Sequence, residues 1–270
     1  AMARTRRSTW RRLRLALLAF CLFLVAGSTW LGRHRLAAWH RPVWVALYPI
    51  AAEPAAADYV ARLTPEAFEP ITAFFREEAE VFGIDLEPPV ILRLGPALEE
   101  LPPAPPAPGR PLATLAWSLR LRWWAWRHDT FRDPPADVRC FVLYHKAAPQ
   151  RVLDSSLGLA KGRIAVVHAF AGRRQAETND VVIAHELLHT LGASDKYDPA
   201  TDLPRFPEGY AEPERRPREP QVLAEIMAGR IPLAPDRAVI PRSLELCVVG
   251  EATAREIGWL HGPGGPPPPR

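Results

Sequence analysis

An α/β domain built on a mixed, twisted sheet, with a small C-terminal subdomain, is the architecture this sequence predicts, on three observations. Short apolar runs rich in β-branched residues, at 43–50, 90–94, 138–146 and 163–170, alternate with longer stretches of helical periodicity. The helix that carries the candidate chemistry follows the strands instead of preceding them. With 270 residues, 48% apolar and nine tryptophans, the chain can also bury one substantial core.

The chain begins with a basic segment, 1–14, containing Arg4, Arg6, Arg7, Arg11, Arg12 and Arg14. Residues 15–31 follow without a single charge, at the lower limit of length for a helix that crosses a bilayer. Six arginines stand before this run and only Arg33, Arg35 and Arg41 soon after it. That bias predicts a cytoplasmic N-terminus, an uncleaved transmembrane signal-anchor and a domain, 32–261, on the far side of the membrane, periplasmic in a Gram-negative cell. Ala26, Gly27 and Ser28 would also permit signal-peptidase cleavage and secretion. The net charge of +4 resides in the basic segment, and the remainder is close to −2. No nucleic-acid partner is therefore expected.

Past the anchor, 43–50 reads as a strand and 65–82 as an amphipathic helix entered through Thr64 and closed by Gly83. A strand at 90–94 leads into a proline-rich loop, 101–111, because proline removes the donors that sheet and helix require. A helix is expected at 112–128, then strands at 138–146 and 163–170. The run Arg120-Leu121-Arg122-Trp123-Trp124-Ala125-Trp126-Arg127 mixes cations with indoles. Its tryptophans are expected in the core with arginines outward; the other reading is docking of a tethered domain at a lipid surface. After Tyr210 the chain is rich in proline and charge to Gln221. A short helix follows near 251–257, and 262–270, with four consecutive prolines, reads as a disordered tail.

Cys21 falls in the apolar segment, leaving Cys140 and Cys247 either as one disulfide or as two buried thiols. Neither has metal-ligand spacing. The sequence also lacks a phosphate-binding glycine loop and a Gly-x-Ser-x-Gly elbow, which removes support for nucleotide and serine-hydrolase chemistry.

The informative stretch is His185-Glu186-Leu187-Leu188-His189-Thr190-Leu191-Gly192-Ala193-Ser194-Asp195. On a helix, positions i and i+4 share a face, so both imidazoles can reach one ion. Glu186, one step round, suits a general base acting on a water in an open coordination position. Gly192 can take positive φ and end the helix, so that the chain doubles back and Asp195 approaches the same metal. Two His and one carboxylate leave a position open, the catalytic arrangement rather than the closed structural one. The expected cofactor is one catalytic Zn2+. Val181, Ala184, Leu188 and Leu191 recur at helical spacing and face a core, while Thr178, Asn179 and Asp180 offer capping groups at the helix start.

His-Glu-x-x-His-x-x-Gly-x-x-Asp resembles the motif of the short-spacer zincins of metzincin type, in particular the snapalysin-like variant with Asp as third ligand. The match covers about eleven residues, extended slightly by Lys196-Tyr197-Asp198. The resemblance implies an extracytoplasmic zinc metalloendopeptidase acting on a peptide or protein substrate. It also implies a methionine turn beneath the histidines, for which Met227 is the candidate, and a cleft-wall strand that pairs with extended substrate. Residues 164–168 offer that strand, unless both its edges are already paired. The tyrosine that several metzincins carry soon after the methionine is replaced here by Ala228 and Gly229. Tyr197, Tyr210 and His168 are alternative oxyanion stabilisers. That missing tyrosine also keeps open a second class of function, a membrane-tethered binding or assembly factor with a silent zincin fold.

Glu208 lies nineteen residues after His189, a spacing seen where a second helix supplies a glutamate ligand. Pro204, Pro207 and Gly209 disfavour a helix there, so Asp195 is preferred over Glu208 or Glu212. Asp198 and Asp202 add charge to the same loop, either solvated, orienting an imidazole, or holding Ca2+. Oligomeric state is not legible.

Overall fold

The computed structural model describes residues 39–107, 109–148, 153, 156–160 and 162–260. The anchor expected at 15–31, the basic segment before it and the tail at 262–270 lie outside the described residues. Among the described residues no helix is long and apolar enough to cross a membrane.

Five strands form one sheet: β1 (Val43–Ala51), β2 (Val90–Leu94), β3 (Val138–Lys146), β4 (Leu157–Leu159) and β5 (Ile164–Ala171). Their order is β2-β1-β3-β5-β4. The first four in that order run parallel, and β4 closes the edge antiparallel to β5. The sheet is mixed, as the run of apolar segments predicts, and four of its five strands match the expected spans to within one residue at either end.

Side chains alternate across this sheet, and each face takes helices of its own. Ala46, Tyr48 and Ile50 of β1, with Phe141 and Leu143 of β3, pack on Leu121, Trp124 and Ala125 of α2 (Pro111–His128). Val43 and Val45, with Val138, face Phe75 of α1 (Glu69–Val81) and Leu187 and Leu191 of α3 (Ala176–Leu191). One helix therefore covers one face and two cover the other, a three-layer arrangement with the core on both sides of β1 and β3.

Two expectations about helix starts are corrected. The helix expected at 65–82 opens as a 3-10 turn, Pro65–Phe68, and becomes α-helical only at Glu69, where Pro70 occupies the first turn. Proline tolerates that position because its missing N–H would have no intrahelical partner there. Thr64 stands in extended conformation before the turn without a side-chain cap bond. Thr178, Asn179 and Asp180 do not cap α3, because a 3-10 turn, Arg173–Gln175, starts the rotation three residues earlier. Their side chains work laterally instead. Asn179 accepts from the Phe170 N–H at 3.0 Å and donates to the Phe170 carbonyl at 2.9 Å, pairing with β5 as a strand residue would.

The tryptophans of α2 divide. Trp124 is buried, but Trp123 and Trp126 are 57% and 61% exposed. The expectation that these indoles fill the core holds for one of the three, since the helix buries a single stripe and 123 and 126 lie across from it. Cys140 and Cys247 are buried free thiols.

After α3 the chain forms three short ribbons, β6 (Tyr197–Asp198) with β7 (Leu203–Pro204), β8 (Ala224–Glu225) with β11 (Cys247–Val248), and β9 (Ile231–Ala234) with β10 (Arg237–Val239), and a last helix, α4 (Glu251–Ile257). Trp39 Nε1 donates to the Ile257 carbonyl at 2.8 Å and ties this subdomain to the start of the sheet unit.

Candidate metal centre

The site is assembled on the last two turns of α3 and the loop that leaves it. Gly192 adopts φ 116°, a left-handed conformation that glycine takes without a Cβ clash, and its N–H reaches the carbonyls of Leu188 and His189. The chain then reverses. Asp195 Oδ1 lies 3.3 Å from His185 Nε2 and 3.1 Å from His189 Nε2. The two rings stand nearly perpendicular, 4.7 Å apart at their centroids.

The imidazole tautomers follow from their other nitrogens. His185 Nδ1 is 2.9 Å from the Ile226 carbonyl and His189 Nδ1 is 2.9 Å from the Ala193 carbonyl. A carbonyl can only accept, so each Nδ1 carries a proton, and each ring presents its Nε2 to Asp195. Burial alone would raise the Asp195 pKa, but the two imidazoles outweigh it and hold the carboxyl well below its usual range. Three potential ligand atoms thus converge within 4.8 Å of one another. Among the described residues this is the group of three or more such donors that could hold a metal ion. Two imidazole nitrogens and a carboxylate oxygen form a donor set that suits zinc.

Glu186 is buried beside this group, and its Oε2 has no hydrogen-bond partner. Burial pushes its pKa up, while the neighbouring histidines pull it down. Above it runs β4. Gly158 sits so close to α3 that a Cβ there would meet the Glu186 carbonyl and His189 Cβ, each at 2.5 Å, and Glu186 Oε2 at 3.0 Å. The nearby Gly158 backbone N–H also opposes the rise in the Glu186 pKa.

The Asp195 loop is held from the C-terminal side. Lys196 is buried, and its Nζ donates to Glu256 Oε2 of α4 at 2.7 Å and to the Ser194 carbonyl at 2.9 Å. Glu256 in turn accepts from the Ser194 N–H at 2.8 Å and hydroxyl at 2.7 Å. Lys196 N donates to the Met227 carbonyl at 3.0 Å. Met227 is fully buried in a 3-10 turn, Ile226–Ala228, closed by Gly229 at φ 68°. That turn supplies both the carbonyl that orients His185 and the one that holds Lys196.

Several sequence-predicted residues lie elsewhere. Glu208 is exposed in a turn and Glu212 accepts from Arg215, so neither joins the three-atom group. Asp198 accepts from the Ala200 N–H and Asp202 from Arg230, and neither orients an imidazole, a task that backbone carbonyls perform. No three-donor group among the described residues includes either of them, so a calcium site there gains no support. Tyr210 donates its hydroxyl to Glu219 at 3.0 Å. His168 follows Ile164 and Val166 on the α2 face of the sheet and lies 2.9 Å from His145, across the sheet from α3. Of the three oxyanion candidates only Tyr197 reaches the site, its hydroxyl beside the Asp195 carboxylate; burial and that charge raise its pKa.

Residues 164–168 are not available for pairing with a substrate. β3 occupies one edge of β5, while β4, Ser156 Oγ on the His168 N–H, and Asn179 on Phe170 occupy the other. The edge strand of the sheet at this end is β4, a three-residue Leu-Gly-Leu segment too short to leave a periodic signal. The chain matches no protein-family model and no curated protein.

Proposed function

We propose that the chain is a membrane-anchored, extracytoplasmic zinc metallopeptidase with a zincin-like site. The observation that carries this reading is the convergence of His185 Nε2, His189 Nε2 and Asp195 Oδ1, with both Nδ1 protons already committed to carbonyls. These three residues would hold the ion and leave a coordination position open. Zinc, when bound, lowers the pKa of a water towards about 7 and polarises a carbonyl.

The remaining steps belong to the chain's own groups. Glu186, buried and adjacent to both histidines, takes the proton from the attacking water and delivers it to the leaving amine. Tyr197, beside Asp195, would donate its hydroxyl to the oxygen that becomes negative as the carbonyl is attacked. The Gly158 N–H near the Glu186 carboxylate favours its charged form, the form a base requires. The outer edge of β4 takes over the expected role of the cleft-wall strand, pairing with an extended peptide. The turn at Met227, against α3 and accepting with its carbonyls from His185 and Lys196, is the counterpart of a metzincin methionine turn.

The test is metal stoichiometry with ligand mapping on the purified chain, followed by a peptide library with and without chelator. Near-stoichiometric zinc is expected in the native chain and in Glu208→Ala, and none in Asp195→Ala. Glu186→Gln is expected to keep the metal and lose turnover. Zinc-loaded protein that cleaves nothing would instead favour the silent binding factor, for which the absence of a tyrosine directly after Met227 speaks.

A further inference from the structure

Helix α2 carries two apolar faces. Inward, Leu121, Trp124 and Ala125 pack on the sheet. Outward, Leu112, Leu115, Leu119, Trp123 and Trp126 are 81%, 59%, 57%, 57% and 61% exposed. Their spacing of three and four residues confines them to an arc of about 80° on a helix of 3.6 residues per turn. Together they expose on the order of 500 Å² of contiguous apolar surface, at the upper end for a monomeric domain.

The charged residues that α2 itself places beside this stripe have one sign, and the nearby Glu100 pairs with His128 away from it. Arg120 and Arg127 flank it on one side and Arg122 on the other, and α2 contains no Asp or Glu. The Arg127 guanidinium lies 5.6 Å from the Trp123 ring, holding cation and indole at the same level. Leucines and tryptophans bordered by arginines match the boundary between acyl chains and anionic headgroups, where indoles settle and guanidinium groups meet phosphate. The position in the chain agrees: the uncharged run ends at Leu31, and the seven residues before Trp39 span at most about 25 Å, so an anchored domain stays at the surface.

We propose that the outward face of α2 docks the domain onto a bilayer that displays anionic headgroups. Because α2 and α3 cover opposite faces of the sheet, a bilayer seated on α2 leaves the His185–His189 face toward water. Nothing in this inference depends on the metal chemistry.

The full chain, with Cys21→Ser and Leu119→Cys, is labelled with bimane at position 119, the two remaining cysteines being buried. It is reconstituted into phosphatidylglycerol or phosphatidylcholine vesicles that contain headgroup-proximal doxyl lipid. Strong quenching is expected in phosphatidylglycerol and at most half as much in phosphatidylcholine. Each arginine near an anionic surface strengthens binding about fivefold, so Arg120→Gln with Arg127→Gln lowers the docked-to-undocked ratio roughly 30-fold. Circular dichroism of that variant checks that the fold is kept. An unquenched label in phosphatidylglycerol, or quenching indifferent to both charge changes, overturns the proposal. So does a label shielded without lipid in proportion to protein concentration, which would assign the face to a second copy of the chain.

Discussion

At Gly158 the difference between hydrogen and methyl decides whether β4 can lie on α3. Two of the three atoms a Cβ would meet, the Glu186 carbonyl and His189 Cβ, belong to a helix packed against the sheet and cannot step aside. Gly158→Ala therefore forces β4 outward, at a cost of roughly 1–3 kcal/mol, and moves away an N–H that favours the charged form of Glu186. Chemical denaturation reads the first effect, and a drop in kcat with little change in metal content reads the second. Native stability in the variant would show that β4 is not pressed on the helix. This residue also marks where sequence reading stops. His185, Glu186 and His189 are legible because helical spacing alone brings them together, and Asp195 because Gly192 turns the chain within four residues. Gly158 meets them from a different strand, in a segment of three residues, and only tertiary packing makes its lack of a side chain matter.

Between elements, the link with the clearest consequence joins the Asp195 loop to α4. Lys196 is 4% exposed, so its ammonium depends on Glu256 and Ser194 for compensation. A lysine in a charged run such as Ser194-Asp195-Lys196-Tyr197-Asp198 reads as solvated, and only the return of α4 sixty residues later buries it. The helix starts differ from the capping pattern for a related reason. Thr178, Asn179 and Asp180 have capping chemistry, but the 3-10 turn at 173–175 starts the helix upstream and frees Asn179 to close the edge of β5. Lys196→Met keeps the stem and removes the charge, leaving Glu256 bonded to Ser194 alone. Groups that orient a ligand without touching the ion typically contribute 10- to 100-fold in metal affinity, and a loss of that size is expected for this variant in a chelator-competition titration. Arg255→Gln, which breaks an exposed pair with Glu251 on the same helix, should leave affinity unchanged. Equal affinities for all three proteins would remove the latch from the site.

For the whole domain, two partly buried acids set the pH dependence of folding once metal is chelated. Burial raises Glu78 from 4.5 to about 7, although the Val249 N–H bonded to it at 2.6 Å opposes the rise. Burial, with Glu177 nearby, raises Asp180 from 3.8 to about 7. One lies where α1 meets the C-terminal subdomain and the other where α3 faces β3, so the folded unit as a whole retains two protons that the unfolded chain releases. From about pH 4 to 7 the unfolded state holds fewer protons, and stability falls as pH rises, levelling off above 7. Groups held low act in the opposite sense and in a different window. Burial would raise Asp137, but Arg41 overrides it, so its contribution is lost only as pH drops below its ordinary 3.8. Glu78→Gln with Asp180→Asn keeps the shapes, and the amide at 78 still accepts from Val249. After a discount for the solvent reaching Glu78, each change is worth on the order of 1–2 kcal/mol at pH 8 and nothing at pH 4. In a domain of this size the pair should raise Tm at pH 8 by about 5–10 °C in excess chelator. Melting curves for the native chain and the double variant that stay parallel from pH 4 to 8 would mean that neither proton is retained on folding.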